Sequence, residues 1–230
     1  EAVKSRSIWI LLPMAGLIIG LLVGWAAWGL RSAGVDDHQS PVGGSSTAES
    51  QGKPNAADIG FSQDMTVHHN QALQMATFAL ANSRSDEIRR LALQILTSQA
   101  TEKGLMSGWL ILWEAPELPS GPHMAWMNKS DHSEMAHDMA SMDAHALMPG
   151  MASIDQMAKL GQLKGRDFDI FFLQLMIRHH AGGIPMAEAA ARLAATPAVR
   201  GLALEIARAQ TQENASMLAQ LQTMGGEPLA

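Results

Sequence analysis

The chain has 230 residues, a net charge of -6, 16 Met, no Tyr and no Cys. Its acidic balance, with no cluster of Lys and Arg, excludes a nucleic-acid surface, which needs grouped cations to neutralise phosphates. The missing cysteines exclude disulfides, thiolate metal sites and cysteine nucleophiles together.

The first element is an uncharged apolar run from Ile8 to Leu30 that contains Trp9, Trp25 and Trp28. A helix of about 20 such residues crosses the hydrocarbon core of a membrane, so residues 1–31 are expected to form one N-terminal transmembrane anchor. Lys4 and Arg6 precede the run, and Asp36 and Asp37 follow it. The positive-inside bias then places the N-terminus in the cytoplasm and the rest outside, as a single-pass protein of the cell membrane. A cleaved signal peptide, which would leave a secreted protein, is the alternative. Its apolar region is normally about 7–15 residues, shorter than this run. Residues 32–57 are Gly, Ser, Pro and polar residues without apolar periodicity, the composition of a flexible tether.

From Asp58 the chain repeats itself. The stretch Asp58–Ala76 returns at Asp169–Ala187, and Asp58/Asp169, Phe61/Phe172, Gln63/Gln174, Met65/Met176, His68/His179, His69/His180 and Met75/Met186 share one offset without a gap. The same offset continues through Ile95/Ile206, Gln99/Gln210, Glu102/Glu213 and Met106/Met217. This is an internal duplication. Repeat one covers 58–110 and repeat two 169–221, with a crossover at 111–166, inside a folded unit of 58–225.

Asp58 is the expected N-cap of a first helix running to about Asn82. At 100° per residue Phe61, Met65, His68, Ala72, Met75 and Ala79 form one stripe, flanked by His69, Ala76 and Leu80. After Ser83–Ser85, Asp86 can cap a second helix reaching about Trp113. Its inward positions Ile95, Gln99, Glu102 and Met106 include an amide and a carboxylate, which is unusual for a core. Pro116, Pro119 and Pro122 close the hairpin. The crossover then becomes rich in Met and His, with a short helix expected over Ser153–Leu163. A third helix starts near Asp167 or Asp169 and is expected to kink or break at Pro185. Pro197 suits the first turn of a fourth helix, whose inward residues are Ile206, Gln210, Glu213, Met217 and Leu221. The fold class is therefore all-α, an antiparallel four-helix bundle of two duplicated hairpins behind one transmembrane helix. The crossover is long enough for the hairpins to close within one chain or across a homodimer.

Imidazole is a borderline ligand and thioether a soft one. A His/Met set without Cys or clustered carboxylates suits copper, as Cu(I) with Ag(I) as its surrogate or as Cu(II), better than Zn, Fe or Mg. The candidate ligands in the bundle are Met65, His68, His69, Met75, Met176, His179, His180 and Met186. Those in the crossover are His132, Met135, His137, Met139, Met142, His145, Met148 and Met151. Gln99, Glu102, Gln210 and Glu213 are placed to hold the imidazoles by hydrogen bonds. The competing reading makes the histidines a structural polar layer and the methionines adaptable filler.

The D-x-x-F-x-Q-x-M-x-x-H-H-x-x-x-x-x-M-A block at Asp58, the M-P-G-M at Met148–Met151 and the F-D-x-x-F-L-x-L-M-I-x-H-H at Phe168–His180 resemble the DUF305, or CopM-like, family. The resemblance covers Asp58 to about Leu221. It implies a ferritin-like four-helix bundle, exported or membrane-tethered, with copper binding and copper resistance in some members. That role carries over to the matching Met65, His68, His69, Met75, Met176, His179, His180 and Met186.

Three functions compete. The first is an extracytoplasmic, membrane-tethered protein that sequesters copper or confers resistance to it. The second is a ferritin-like, metal-dependent oxidoreductase. Carboxylate-bridged di-iron sites need Glu-x-x-His on two bundle helices, whereas here the spacing occurs once, at Glu134 and His137, in the crossover. The third is a metal-free structural or interaction module. The partners expected are metal ions and the membrane, with no nucleic acid.

Overall fold

The computed structural model describes residues 53–129 and 148–229. The expected anchor, nearly all of the tether, and His132, Met135, His137, Met139, Met142 and His145 of the crossover lie outside the described residues. No described helix is long and apolar enough to cross a membrane. Among the described residues the regular structure is helical: α1 (Ala56–Asn82), α2 (Asp86–Leu112), a short 3-10 turn (Ala125–Lys129), α3 (Ile154–Gln162), α4 (Gly165–Leu193) and α5 (Pro197–Thr223).

α1 and α2 form one antiparallel hairpin, α4 and α5 another, and the hairpins meet where α1 packs against α4. They therefore close within one chain. α1 and α4 run antiparallel, because Asp58 at the start of α1 accepts from the backbone N–H groups of Ala195 and Thr196 just beyond the end of α4, both at 2.9 Å. The bundle core divides into two apolar clusters. One holds Met75, Met176 and Met217 with Phe168 and Phe172. The other holds Met65, Met106 and Met186 with Phe61 and Ile206.

Several helix ends differ from expectation, for local reasons. α1 begins three residues earlier than its sequence pattern suggested. Asn55 is the N-cap and Asp58 completes a capping box with it, which leaves the Asp58 carboxylate free to brace the turn of the other hairpin as well. Ser85, not Asp86, caps α2 through its side chain; Asp86 instead places its charge in the first turn, where it favours the helix dipole. α4 starts at Gly165, ahead of Asp167, with no side-chain cap. It also continues unbroken through Pro185 to Leu193. Proline inside a helix costs about 3 kcal/mol, and here Met186, Ala187, Ala189 and Ala190, all buried, hold the following turns in place. The expected short helix is present as α3, capped by Ser153 in a capping box.

The crossover is seated on α1 and α4 at both of its described ends. Asp64, buried on α1, accepts from His123 Nδ1 at 2.6 Å, Met124 N at 2.7 Å and Trp126 Nε1 at 2.9 Å. Gly60 lies under the Trp126 indole, where a Cβ would overlap the ring. At the other end Gln71 pairs with the backbone of Ala152 in both directions, at 2.9 and 2.6 Å. Gly182 of α4 faces the Pro149 carbonyl so closely that a Cβ would overlap it.

The obstacle at Gly182 is backbone, which cannot swing aside as a side chain can. Gly182→Ala should therefore destabilise the protein by about 1–3 kcal/mol. Gly104→Ala, on an open stretch of α2 with nothing within 4 Å, should be neutral or stabilising by up to about 1 kcal/mol. Urea unfolding of the two variants tests this, and equal midpoints would show that the M-P-G-M loop does not rest on α4.

Candidate metal centre

Both His-His pairs lie on the helices that form the interface between hairpins, and all four side chains are fully buried. The His68 and His179 rings stack across that interface with centroids 3.8 Å apart and planes 33° apart. His69 and His180 turn toward the outer helices. His69 Nε2 lies 2.7 Å from Glu102 on α2, and His180 Nε2 lies 2.8 Å from Glu213 on α5. The two carboxylates remain partly exposed, at 17% and 12%. Glu213 also accepts from Gln94 Nε2 at 3.0 Å, a bond across the face between α2 and α5.

The stacked pair uses backbone acceptors instead. His179 Nε2 is 3.1 Å from the carbonyl of His68, and His68 Nε2 is 3.3 Å from the carbonyl of Pro149 in the M-P-G-M loop. Carbonyl and carboxylate oxygens only accept, so each Nε2 carries the proton and donates it. Burial keeps the His68 and His179 rings neutral, so in these two the lone pair is on Nδ1. All four Nδ1 atoms are buried and have no hydrogen-bond partner among the described residues.

Gln99 and Gln210 complete the polar layer. Both amides are buried, and among the described residues neither the oxygen nor the nitrogen of either has a partner. The expected bonds from Gln99 and Gln210 to the imidazoles are not made, because each Nε2 faces Glu102, Glu213 or a backbone carbonyl instead. Gly183 gives room for this arrangement, since a Cβ there would overlap Gln210 Oε1 and crowd the His68 ring. The expected thioethers flank the layer on both sides: Met65 and Met186 in one apolar cluster, Met75 and Met176 in the other. Met148 is buried in the same cluster as Met65, and Met151 is half-buried against it. Among the described residues no three His, Asp or Glu side chains are grouped to hold a metal ion. Reading the sequence missed Asp64 and Gln71, the two side chains that dock the crossover beside this layer. Their signal was faint, being polar residues on a helix that is otherwise apolar.

Burial pushes the His68 imidazole down to about 3, reinforced by its neighbour His69. His179 is held well below the ordinary value by burial first and His68 second. A histidine whose folded pKa is depressed contributes fully above its unfolded value of about 6.5 and loses that contribution as pH falls toward the folded value. In that window each such group removes about 1.4 kcal/mol of stability per pH unit. The metal-free protein should thus unfold at progressively lower urea concentration between pH 6.5 and pH 4. His68→Gln keeps a donor for Pro149 and should flatten the dependence. A midpoint that does not move with pH would mean that the rings accept protons inside the fold.

A family model described as a domain of unknown function, DUF305, matches residues 58–221. Among solved structures, a DUF305 protein from Streptomyces coelicolor is 35% identical with a TM-score of 0.67, covering 76% of this chain and 97% of that one. A DUF305 fragment from Deinococcus radiodurans is 30% identical with a TM-score of 0.58, covering 75% and 99%. CopM in a Cu(I)-bound form is 25% identical with a TM-score of 0.55, covering 74% and 98%. The Cu(II)-bound form of CopM gives 28% and 0.52, covering 72% and 96%. No curated protein matches the chain. Because the family model spans both His-His helices and both outer helices that hold them, this chain belongs to the DUF305 family.

Proposed function

We propose that this protein binds soft and borderline metal ions, copper above all, and sequesters them outside the cytoplasm while tethered to the membrane by Ile8–Leu30. The observation that carries this reading is the set of four buried imidazoles whose Nε2–H groups are all engaged. Orienting a histidine through one nitrogen and leaving the other as a bare lone pair is how proteins prepare it for a metal. Leaving four buried ring nitrogens without a partner is otherwise costly. CopM, solved with Cu(I) and with Cu(II), lends support through its similarity.

The donor chemistry selects the ion. With no three His, Asp or Glu grouped together among the described residues, a hard, high-coordinate ion finds too few ligands in this layer. Cu(I) and Ag(I) accept few donors and favour imidazole and thioether, which are the groups in and around it. Glu102 and Glu213 act by positioning His69 and His180. The crossover ligands His132, Met135, His137, Met139, Met142 and His145, with Met148 and Met151, would serve as outer capture sites. A metal-free polar layer that fixes helix register is the second reading, favoured by the absence, among the described residues, of any compact group of three such ligands.

The test is metal content and melting temperature with Cu(I), Ag(I), Cu(II) and Zn(II). A ligand that prefers the native state adds about 2.7 kcal/mol at a hundred times its Kd, worth roughly 5–10 °C for a domain of this size. Cu(I) and Ag(I) should raise the melting temperature, and replacing His68, His69, His179 and His180 together should abolish that rise and lower the bound metal per chain. Binding without stabilisation would move the ions to the crossover, and no binding would leave the structural layer as the function of the histidines.

A further inference from the structure

The C-terminal end of α2 and the loop after it expose an apolar surface that the metal reading does not use. Ile111 is 76% exposed, Leu112 77% and Leu118 63%, beside the stacked, half-buried pair Trp109 and Trp113. Between Gly104 and Asn128 there is no Lys or Arg, and the exposed Glu114 and Glu117 stand within the loop. Bulky aliphatic groups exposed beside indole rings, which favour the boundary between water and hydrocarbon, match a lipid interface.

The position of this surface identifies its occupant. Gln63, in the second turn of α1, donates to the carbonyls of Pro116 at 2.8 Å and Leu118 at 3.3 Å. The apolar end of α2 therefore lies at the end of the bundle where the chain enters at Lys53. The sequence ahead of that point carries the Ile8–Leu30 run, and Arg31–Gly52 can span at most about 80 Å even when fully extended.

We propose that this end of the bundle is a lipid-docking face, with Trp109, Ile111, Leu112, Trp113 and Leu118 resting in the headgroup region of a bilayer. The stretch Gly104–Asn128 suits zwitterionic lipid, because Glu114 and Glu117 stand in it without Lys or Arg and anionic headgroups would repel them. The proposal rests on the anchored reading of Ile8–Leu30 only for what brings the bundle to the membrane; the docking contact is a property of α2 itself.

The chain has no cysteine, so single spin labels can be placed cleanly. The full chain is reconstituted in phosphatidylcholine vesicles carrying one label from Leu112→Cys, Ile154→Cys or Gly20→Cys, and oxygen and nickel-chelate accessibilities are compared. Ile154 is 86% exposed and lies on α3, whose Gly161 carbonyl accepts from Asn82 at the opposite end of α1. The label at 112 should favour oxygen over nickel, the label at 154 should show the reverse, and adding phosphatidylglycerol should not deepen the label at 112. A label at 112 as open to nickel as that at 154 overturns the docking face, and the label at 20 then shows separately whether the anchor inserts. Dipolar broadening at 112 with exclusion of both reagents would also overturn it, by showing a second copy on the surface. Immersion at 112 while 20 stays aqueous would uphold the docking face and reject the anchor.

Discussion

Four buried imidazoles are packed into the interface between the two hairpins, and the rest of the fold is arranged to supply one acceptor to each. The outer helices are drawn in because Glu102 and Glu213 are the acceptors for His69 and His180. The crossover is drawn in because the carbonyl of Pro149 is the acceptor for His68. α4 must come close enough for His179 to reach the backbone of His68. Gly182 and Gly183 permit that closeness on two sides, one facing the crossover and the other facing Gln210 and His68. Each Nε2 keeps its acceptor only while these pieces stay in place together, so the helices, the loop and the glycines form one unit.

The two repeats are equivalent where they build the bundle and different where the crossover meets it. His69–Glu102 and His180–Glu213 match. Gln63 binds the carbonyl of Pro116 after α2, as Gln174 binds that of Glu227 after α5. Equivalence stops at Asp64 and Gln71, whose counterparts in the second repeat are Leu175 and Gly182. Asp64 and Gln71 clasp the crossover, whereas Leu175 is buried in the core and Gly182 makes room for the loop. One duplicated sequence has thus been edited into a face with a clasp on α1 and a seat on α4. The same editing makes His68 and His179 chemically distinct although they began as copies.

The helices were legible because a repeated apolar stripe and paired breakers mark them in the chain itself. The inward placement of Gln99 and Gln210, both buried, was legible for the same reason. The helix ends were less so, since Asn55 and Asp58, or Ser85 and Asp86, are chemically similar caps only a few residues apart. The passage of α4 through Pro185 was not legible, because local preference opposes it and only burial of the next turns favours it.

The sequence by itself determined that this chain is a helical bundle with two copies of a His-His helix, each facing a Gln/Glu helix, because 3.6-residue periodicity and residue type are written along the chain. Tertiary structure alone decided which ring nitrogen is free. A tautomer depends on which oxygen lies beside Nε2, and the oxygens beside His68 and His179 belong to residues far away in sequence, on another helix or in the crossover. It also decided that both rings stay neutral, because desolvation arises only when the surrounding helices close over them.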